Sequence, residues 1–203
     1  MHLEKRLDPL AHTTHWIRVI AGAILGLALV GSCHANLVLN GGFETGNLTN
    51  WTSSLGSAAV LNQSVTSVIS HSGTYSAALG NQGGLGVLSQ TVSGLSVGAS
   101  YELSFWLRSD GLTPNRFAVS FGGDTLDNDS NLGAFAFTEF TYNFVATATS
   151  GLLQFGSRND PGFLELDDVA VNALAATVPE PATLALVGVA FAFVGASRRR
   201  QVT

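Results

Sequence analysis

Reactive side chains are scarce in this chain. Its 203 residues include one cysteine, Cys33, so neither an internal disulfide nor a Cys-based zinc site can form. The single lysine is Lys5, and between residues 36 and 176 histidine occurs once, as His71. Such a segment has few parts for nucleophilic catalysis. Positive charge is equally rare there: Arg108, Arg116 and Arg158 stand against eleven acidic residues, a net charge of −8 by count. A body of that sign repels phosphate backbones, which excludes nucleic-acid binding as a function class. It is compatible with calcium, with neutral glycans or simply with solubility. No apolar run reaches the about 20 residues of a comfortable membrane span.

What is present is concentrated at the two ends. Lys5, Arg6 and Arg18 precede an apolar run from Val19 to Val30, and Gly31-Ser32-Cys33-His34-Ala35 follows. A basic region, an apolar run of about a dozen residues and small residues before a cut describe a secretory signal peptide, removed by signal peptidase after Ala35. Two alternatives stay open: a lipoprotein signal at Val30-Gly31-Ser32-Cys33, and an uncleaved anchor helix.

The carboxy terminus reads Val178-Pro179-Glu180-Pro181, an apolar stretch from Ala182 to Ala196, then Arg198-Arg199-Arg200. The prolines bar regular helix at the start of the stretch. The stretch is long enough to cross a thin bilayer as a helix, and the arginines would stay cytoplasmic by the positive-inside rule. The order Pro-Glu-Pro, short hydrophobic helix, arginine cluster resembles the PEP-CTERM sorting signal of Gram-negative bacteria, also catalogued as an ice-binding-protein C-terminal domain. The resemblance implies cleavage near Pro179-Glu180-Pro181 by an exosortase, in bacteria that build extracellular polysaccharide. No Thr-x-Thr ladder supports ice binding. The alternative is a plain tail anchor. The expected location is the periplasmic face of the inner membrane, then the cell surface or extracellular matrix once the tail is cut.

The body reads as short strands. Tyr101, Leu103, Phe105 and Leu107 alternate with Glu102, Ser104, Trp106 and Arg108, so the two sets lie on opposite faces. Phe117, Val119 and Phe121 repeat the pattern, as do Phe140, Tyr142 and Phe144, then Leu153 and Phe155, then Leu164 and Leu166. Clusters such as Gly122-Gly123-Asp124 and Asn159-Asp160-Pro161-Gly162 punctuate them. No stretch shows a 3.6-residue period. Many short strands joined by polar turns predict an all-β sandwich or barrel.

Four motifs sharpen this expectation: Asn40-Gly41-Gly42-Phe43-Glu44 with Trp51 soon after; His71-Ser72-Gly73-Thr74-Tyr75; Leu88 to Val92 with Tyr101 to Trp106; and Leu164-Glu165-Leu166-Asp167-Asp168-Val169. In this order they resemble galactose-binding-like jelly rolls, which include the CBM4/9 carbohydrate-binding modules. The implied organisation is a signal peptide at 1–35, a jelly-roll β-sandwich at 36–172, a linker at 173–178 and a sorting and transmembrane segment at 179–203. In similar jelly rolls a calcium ion joins the two chain ends. Carried over, that implies a structural site at Glu44, Gly46, Ser72 and Asp167, some through carbonyls. Calcium takes six to eight hard oxygens, which Gly-rich loops can supply. The alternative is that Glu44 and Asp167 bond only to turn amides.

Trp106, with Ser104 and Arg108 beside it, is a candidate platform on which a sugar ring could stack, with Asn143 and Gln154 on the same face of neighbouring strands. The alternative is an indole covered by a loop or by another molecule. Trp51 is expected in the core. Asp124, Asp127 and Asp129 lack the Gly and the closing Glu of an EF-hand and read as a solvated polar loop. Asp167 and Asp168 are adjacent on one strand, hence expected on opposite faces, a poor carboxylate dyad for glycoside hydrolysis. The reading is a non-enzymatic exported protein that binds or organises exopolysaccharide. The alternative is a structural envelope or biofilm protein making protein–protein contacts without sugar.

Overall fold

The computed structural model describes residues 35–175, which form ten strands and no helix. The expected signal helix and the whole tail, from Pro179 through Arg200, lie outside the described residues.

The strands are β1 (Thr52–Ser54), β2 (Gln63–Thr66), β3 (Ser76–Leu79), β4 (Gly86–Ser93), β5 (Ser100–Ser109), β6 (Asn115–Phe121), β7 (Asp124–Ser130), β8 (Phe135–Val145), β9 (Ser150–Asn159) and β10 (Leu164–Ala173). They make two five-stranded antiparallel sheets, ordered β1-β4-β9-β6-β7 and β2-β3-β10-β5-β8. The alternating runs predict a sandwich or barrel and the resemblance of the ordered motifs implies a jelly roll; the two-sheet sandwich observed agrees with both.

Period-two alternation decides which side chains meet between the sheets. Tyr101, Leu103, Phe105 and Leu107 of β5 are buried, as are Phe117, Val119 and Phe121 of β6 and Leu153 and Phe155 of β9. Phe105 is the centre of the joint. Its ring meets Phe155 edge-on at 5.2 Å and Phe117 at 5.7 Å, linking one sheet to the other. Full burial of such a ring contributes about 2–3 kcal/mol from apolar area alone. Trp51 is in the core as expected, against Phe43 and Phe155.

The opening motif closes the sandwich at one end. The Asn36 side chain accepts from the Val171 amide and donates to the Val169 carbonyl, tying the first described residues to β10. Gly41 completes the seam: its carbonyl accepts from the Val169 amide at 3.0 Å. A Cβ at this position would lie 2.0 Å from the Val169 carbonyl oxygen, so the close approach requires glycine. The buried Gln90 side chain then clamps the opening turn, accepting from the Leu39 amide and donating to the carbonyls of Leu39 and Asn50.

Two expectations are corrected. Asp124, Asp127 and Asp129 do not sit in a loop but in β7, an edge strand paired with β6 through the Gly122-Gly123 turn. Asp127 accepts the Tyr142 hydroxyl at 2.6 Å. Secondly, β10 is not a regular strand. Its pairing with β5 slips between Asp167 and Ala170, and Asp168 has φ of 47°. The buried series accordingly changes phase, from Leu164 and Leu166 to Val169 and Val171. This bulge turns both aspartates toward the same loop, contrary to the opposite-face expectation.

Candidate functional site

The bulge in β10 builds a polar cluster on the outer side of the β2-β3-β10-β5-β8 sheet. Asp167 Oδ2 accepts from the amides of His71 (2.8 Å) and Ser72 (3.2 Å), and Oδ1 accepts from the Asp168 amide. Asp168 takes the side chains of the same two residues: Oδ2 lies 2.7 Å from His71 Nδ1, and Oδ1 accepts the Ser72 hydroxyl at 2.8 Å. Asp167 is fully buried, and burial pushes its carboxyl up in pKa against the pull of the three amides. Nearby, Glu44 Oε1 accepts from the amides of Thr74 and Tyr75. Tyr75 also packs over Gly46.

Of the residues implied for calcium, Glu44, Ser72 and Asp167 thus gather around the 71–75 turn, each engaged in a hydrogen bond. Among the described residues no three His, Cys, Asp or Glu side chains are grouped to hold a metal ion. The Glu44 and Asp167 carboxylates each accept turn amides.

His71 lies between this cluster and Trp106. Ser104, Trp106 and Arg108 share the outer face of β5, and Asn143 of β8 joins that face opposite Glu102. Gln154 does not; it belongs to β9 in the other sheet. The indole of Trp106 is half-buried and stacked under the His71 imidazole, and Phe137 lies beside that imidazole. Arg108 donates to Glu165 across the strand pair at 2.8 Å. Burial pushes the Glu165 carboxyl up in pKa, and Arg108 pulls it back only in part.

The sequence reading missed a different surface. The outer face of β4, β9, β6 and β7 carries three cross-strand rows set by register. The first is polar: Ser89, Gln154, Ser120 and Thr125. The second is small: Val87, Gly156, Ala118 and Asn128. The third holds Arg158 directly opposite Arg116, followed by Ser130. The small middle row makes the floor of a groove of about 260 Å³, lined by Gln154, Ser120, Asn128, Arg116 and the floor residues. Beyond Leu85 and Arg116 it continues into a second hollow of about 430 Å³ that reaches Arg158. Local sequence gives little sign of this groove, since Ala118 and Gly156 read as ordinary strand positions.

Residues 35–155 match the carbohydrate binding domain family CBM 4/9. Residues 177–200 match the PEP-CTERM protein-sorting motif. No curated protein matches the chain. Among solved structures, the carbohydrate-binding module TmCBM61 in complex with beta-1,4-galactotriose is similar with a TM-score of 0.56 and 19% identity, covering 69% of this chain and 99% of that one. The enzymatically active domain of tailspike protein 4 from bacteriophage CBA120 is similar with a TM-score of 0.55 and 17% identity. That match covers 68% of this chain but only 21% of the tailspike chain. At these identities the likeness establishes the fold. By the match that spans most of its sandwich, the chain belongs to the CBM 4/9 carbohydrate binding domain family and carries a PEP-CTERM sorting motif behind that domain.

Proposed function

We propose that this protein is an exported, non-enzymatic glycan-binding protein of the cell surface or extracellular matrix, and that polysaccharide lies in the groove across β4, β9, β6 and β7. The observation that carries the reading is the groove itself: a floor of Gly156 and Ala118, walled on one side by the amide of Gln154 and the hydroxyl of Ser120. Sugars are bound by such a combination of an accessible trough and a few fixed hydrogen-bonding groups. None of the residues lining the groove is acidic, so a pair of opposed carboxylates for glycoside hydrolysis is not offered there. The Trp106 face is the weaker candidate, because the imidazole of His71 already occupies one side of the indole.

The PEP-CTERM motif supports processing by an exosortase after export through a signal peptide, with a transient inner-membrane tether through residues 182–196. In a bacterium with that machinery the natural ligand is the exopolysaccharide of its own matrix.

Affinity electrophoresis of the purified full-length protein through gels containing the host's exopolysaccharide tests the reading. Retardation is expected, and Gln154→Ala should reduce it. Gly156→Val should abolish it; a Cβ there meets Leu85 and Ala118 at ordinary contact distances of 3.4 and 3.6 Å, and circular dichroism of the variant checks that the domain stays folded with the added methyls. Loss of retardation in Trp106→Ala but not in Gly156→Val would move the site to the opposite sheet. A folded protein retarded by no glycan would leave a structural role through protein–protein contacts.

A further inference from the structure

Arg116 and Arg158 are two of only three basic residues between positions 36 and 176, in a body of eleven carboxylates. They are placed directly opposite each other on adjacent strands β6 and β9. Like charges in that position destabilise a sheet, and chance placement in so acidic a segment would seldom produce it. From this pair we infer that the ligand of the groove is an acidic polysaccharide, with a carboxylate or sulfate ester of the sugar seated between the two guanidinium groups. The inference rests on the glycan-binding reading above and adds the chemical class of the glycan.

The surroundings of the pair favour an anion at this point. Arg116 Nε donates to the neutral Asn128 side chain at 2.8 Å, which fixes the guanidinium plane, and among the described residues Arg116 forms no ion pair. Arg158 is held by Asp160 through Nε and Nη2, both at 2.7 Å. Asp160 stays ionised: burial works to raise its carboxyl, but Arg158 and the Gly83 amide outweigh it and hold the group below its ordinary range. The three groups together leave one positive charge uncompensated. Guanidinium forks match carboxylate and sulfate oxygens two at a time, which gives both strength and orientation.

The spacing fits a sugar. The arginine row and the row of Gln154 and Ser120 lie four residues apart along the strands, roughly 13 Å. A pyranose over Gly156 and Ala118 has room to offer hydroxyls to one wall and its acidic group to the other.

The overall negative charge of the body does not oppose this at short range. Five of its acidic residues, Glu102, Glu139, Glu165, Asp167 and Asp168, belong to β5, β8 and β10 in the other sheet. No residue lining either hollow is acidic. Asp124, Asp127 and Asp129 share the sheet through β7 but line neither hollow, and Asp127 is turned to the Tyr142 hydroxyl. With charges beyond about 8 Å largely screened at physiological ionic strength, the one uncompensated positive charge of the arginine pair acts at contact.

Pairs of polymers that differ only in charge test the proposal on the full-length protein: polygalacturonate against its methyl ester, alginate against its propylene glycol ester, and dextran sulfate against dextran. Dissociation constants come from affinity electrophoresis at fixed ionic strength. At least one charged polymer should bind about tenfold tighter than its neutral form. Arg116→Gln and Arg158→Gln should bring that ratio close to one, and Arg116→Lys should restore part of it. Which charged polymer is preferred tells a carboxylate from a sulfate. Equal binding of charged and neutral forms, or a preference that survives Arg116→Gln, overturns the acidic-ligand inference and leaves glycan binding intact. If no polymer and no host polysaccharide binds the folded protein, the glycan reading falls and the inference with it.

Discussion

The imidazole of His71 lies flat on the indole of Trp106, with ring centroids 3.6 Å apart and planes 10° from parallel. The partners come from the loop after β2 and from the middle of β5, and Asp168 of the β10 bulge holds the imidazole through Nδ1. Three distant pieces of sequence therefore meet over one indole. The stack makes Trp106 a structural contact of the 71–75 turn on the side that His71 covers.

His71→Ala should uncover that side and release Asp168 from one of its two side-chain partners. The expected cost is about 1 kcal/mol, in the range of an aromatic pair, measured by urea denaturation. Tryptophan emission should shift to longer wavelength relative to the parent protein. An unchanged spectrum would mean that the imidazole is not the cover in solution.

Gly41→Ala should be among the most damaging small substitutions in the domain. The added methyl would meet the Val169 carbonyl at 2.0 Å and break the seam between the opening motif and β10. Overpacking of a closed site costs about 1–3 kcal/mol, and the loss of the Val169 amide's partner adds to it. The same substitution at Gly123, where a Cβ meets nothing within 4 Å but φ is 101°, separates backbone strain from collision. If the two variants melt together, the close approach at Gly41 is not what the motif requires.

Stability should fall with rising pH at Asp167. Burial raises its carboxyl above the unfolded value of about 3.9, so the native state holds a proton that the unfolded chain has already lost. Its contribution is complete below the unfolded value and disappears as pH rises through the folded one. Glu165 acts in the same sense. Asp110 acts in the opposite sense: burial works upward, but the Asn159 side chain, the Leu112 and Phe163 amides and Arg108 hold its carboxyl down. The stability of the parent relative to Asp167→Asn, followed by denaturation from pH 3 to 7, should therefore decrease as pH increases. An increase would mean that the amide bonds outweigh burial.

Chelation should leave the domain's melting temperature unchanged. The expectation rests on the carboxylates of Glu44 and Asp167, which already accept turn amides and tie the junction by hydrogen bonds. A calcium site saturated a hundredfold would add about 2.7 kcal/mol, several degrees of melting temperature for a domain of this size. A shift of that order between EDTA and millimolar calcium would establish that carbonyls and water complete a site around Ser72 and Gly46.

Much of the fold was legible in the chain. The alternation of Tyr101 to Arg108 and of Phe117 to Phe121 marked both strands and their inward faces, because side-chain direction in a strand is a local property with period two. The change of phase between Leu164-Leu166 and Val169-Val171 also carried the β10 bulge, although a regular strand was the simpler expectation. That one irregularity decided where Asp167 and Asp168 point. The carbohydrate-binding ancestry was visible in the ordered motifs around Gly41, His71, Trp106 and Asp167.

The candidate groove was not legible, and the reason is physical. Val87, Ala118, Asn128 and Gly156 come from four strands, and their alignment depends on pairing register and strand order. Neither quantity is encoded in any local run of residues. The same holds for the arginines: Arg116 and Arg158 are 42 positions apart in the chain and become opposite neighbours only when β6 pairs with β9. Sequence alone determined the strands with strict period-two alternation, such as β5 and β6, their buried faces and the sorting motif, all written in contiguous patterns. Tertiary structure decided which polar faces lie side by side, because register is fixed by the packing of the whole sandwich.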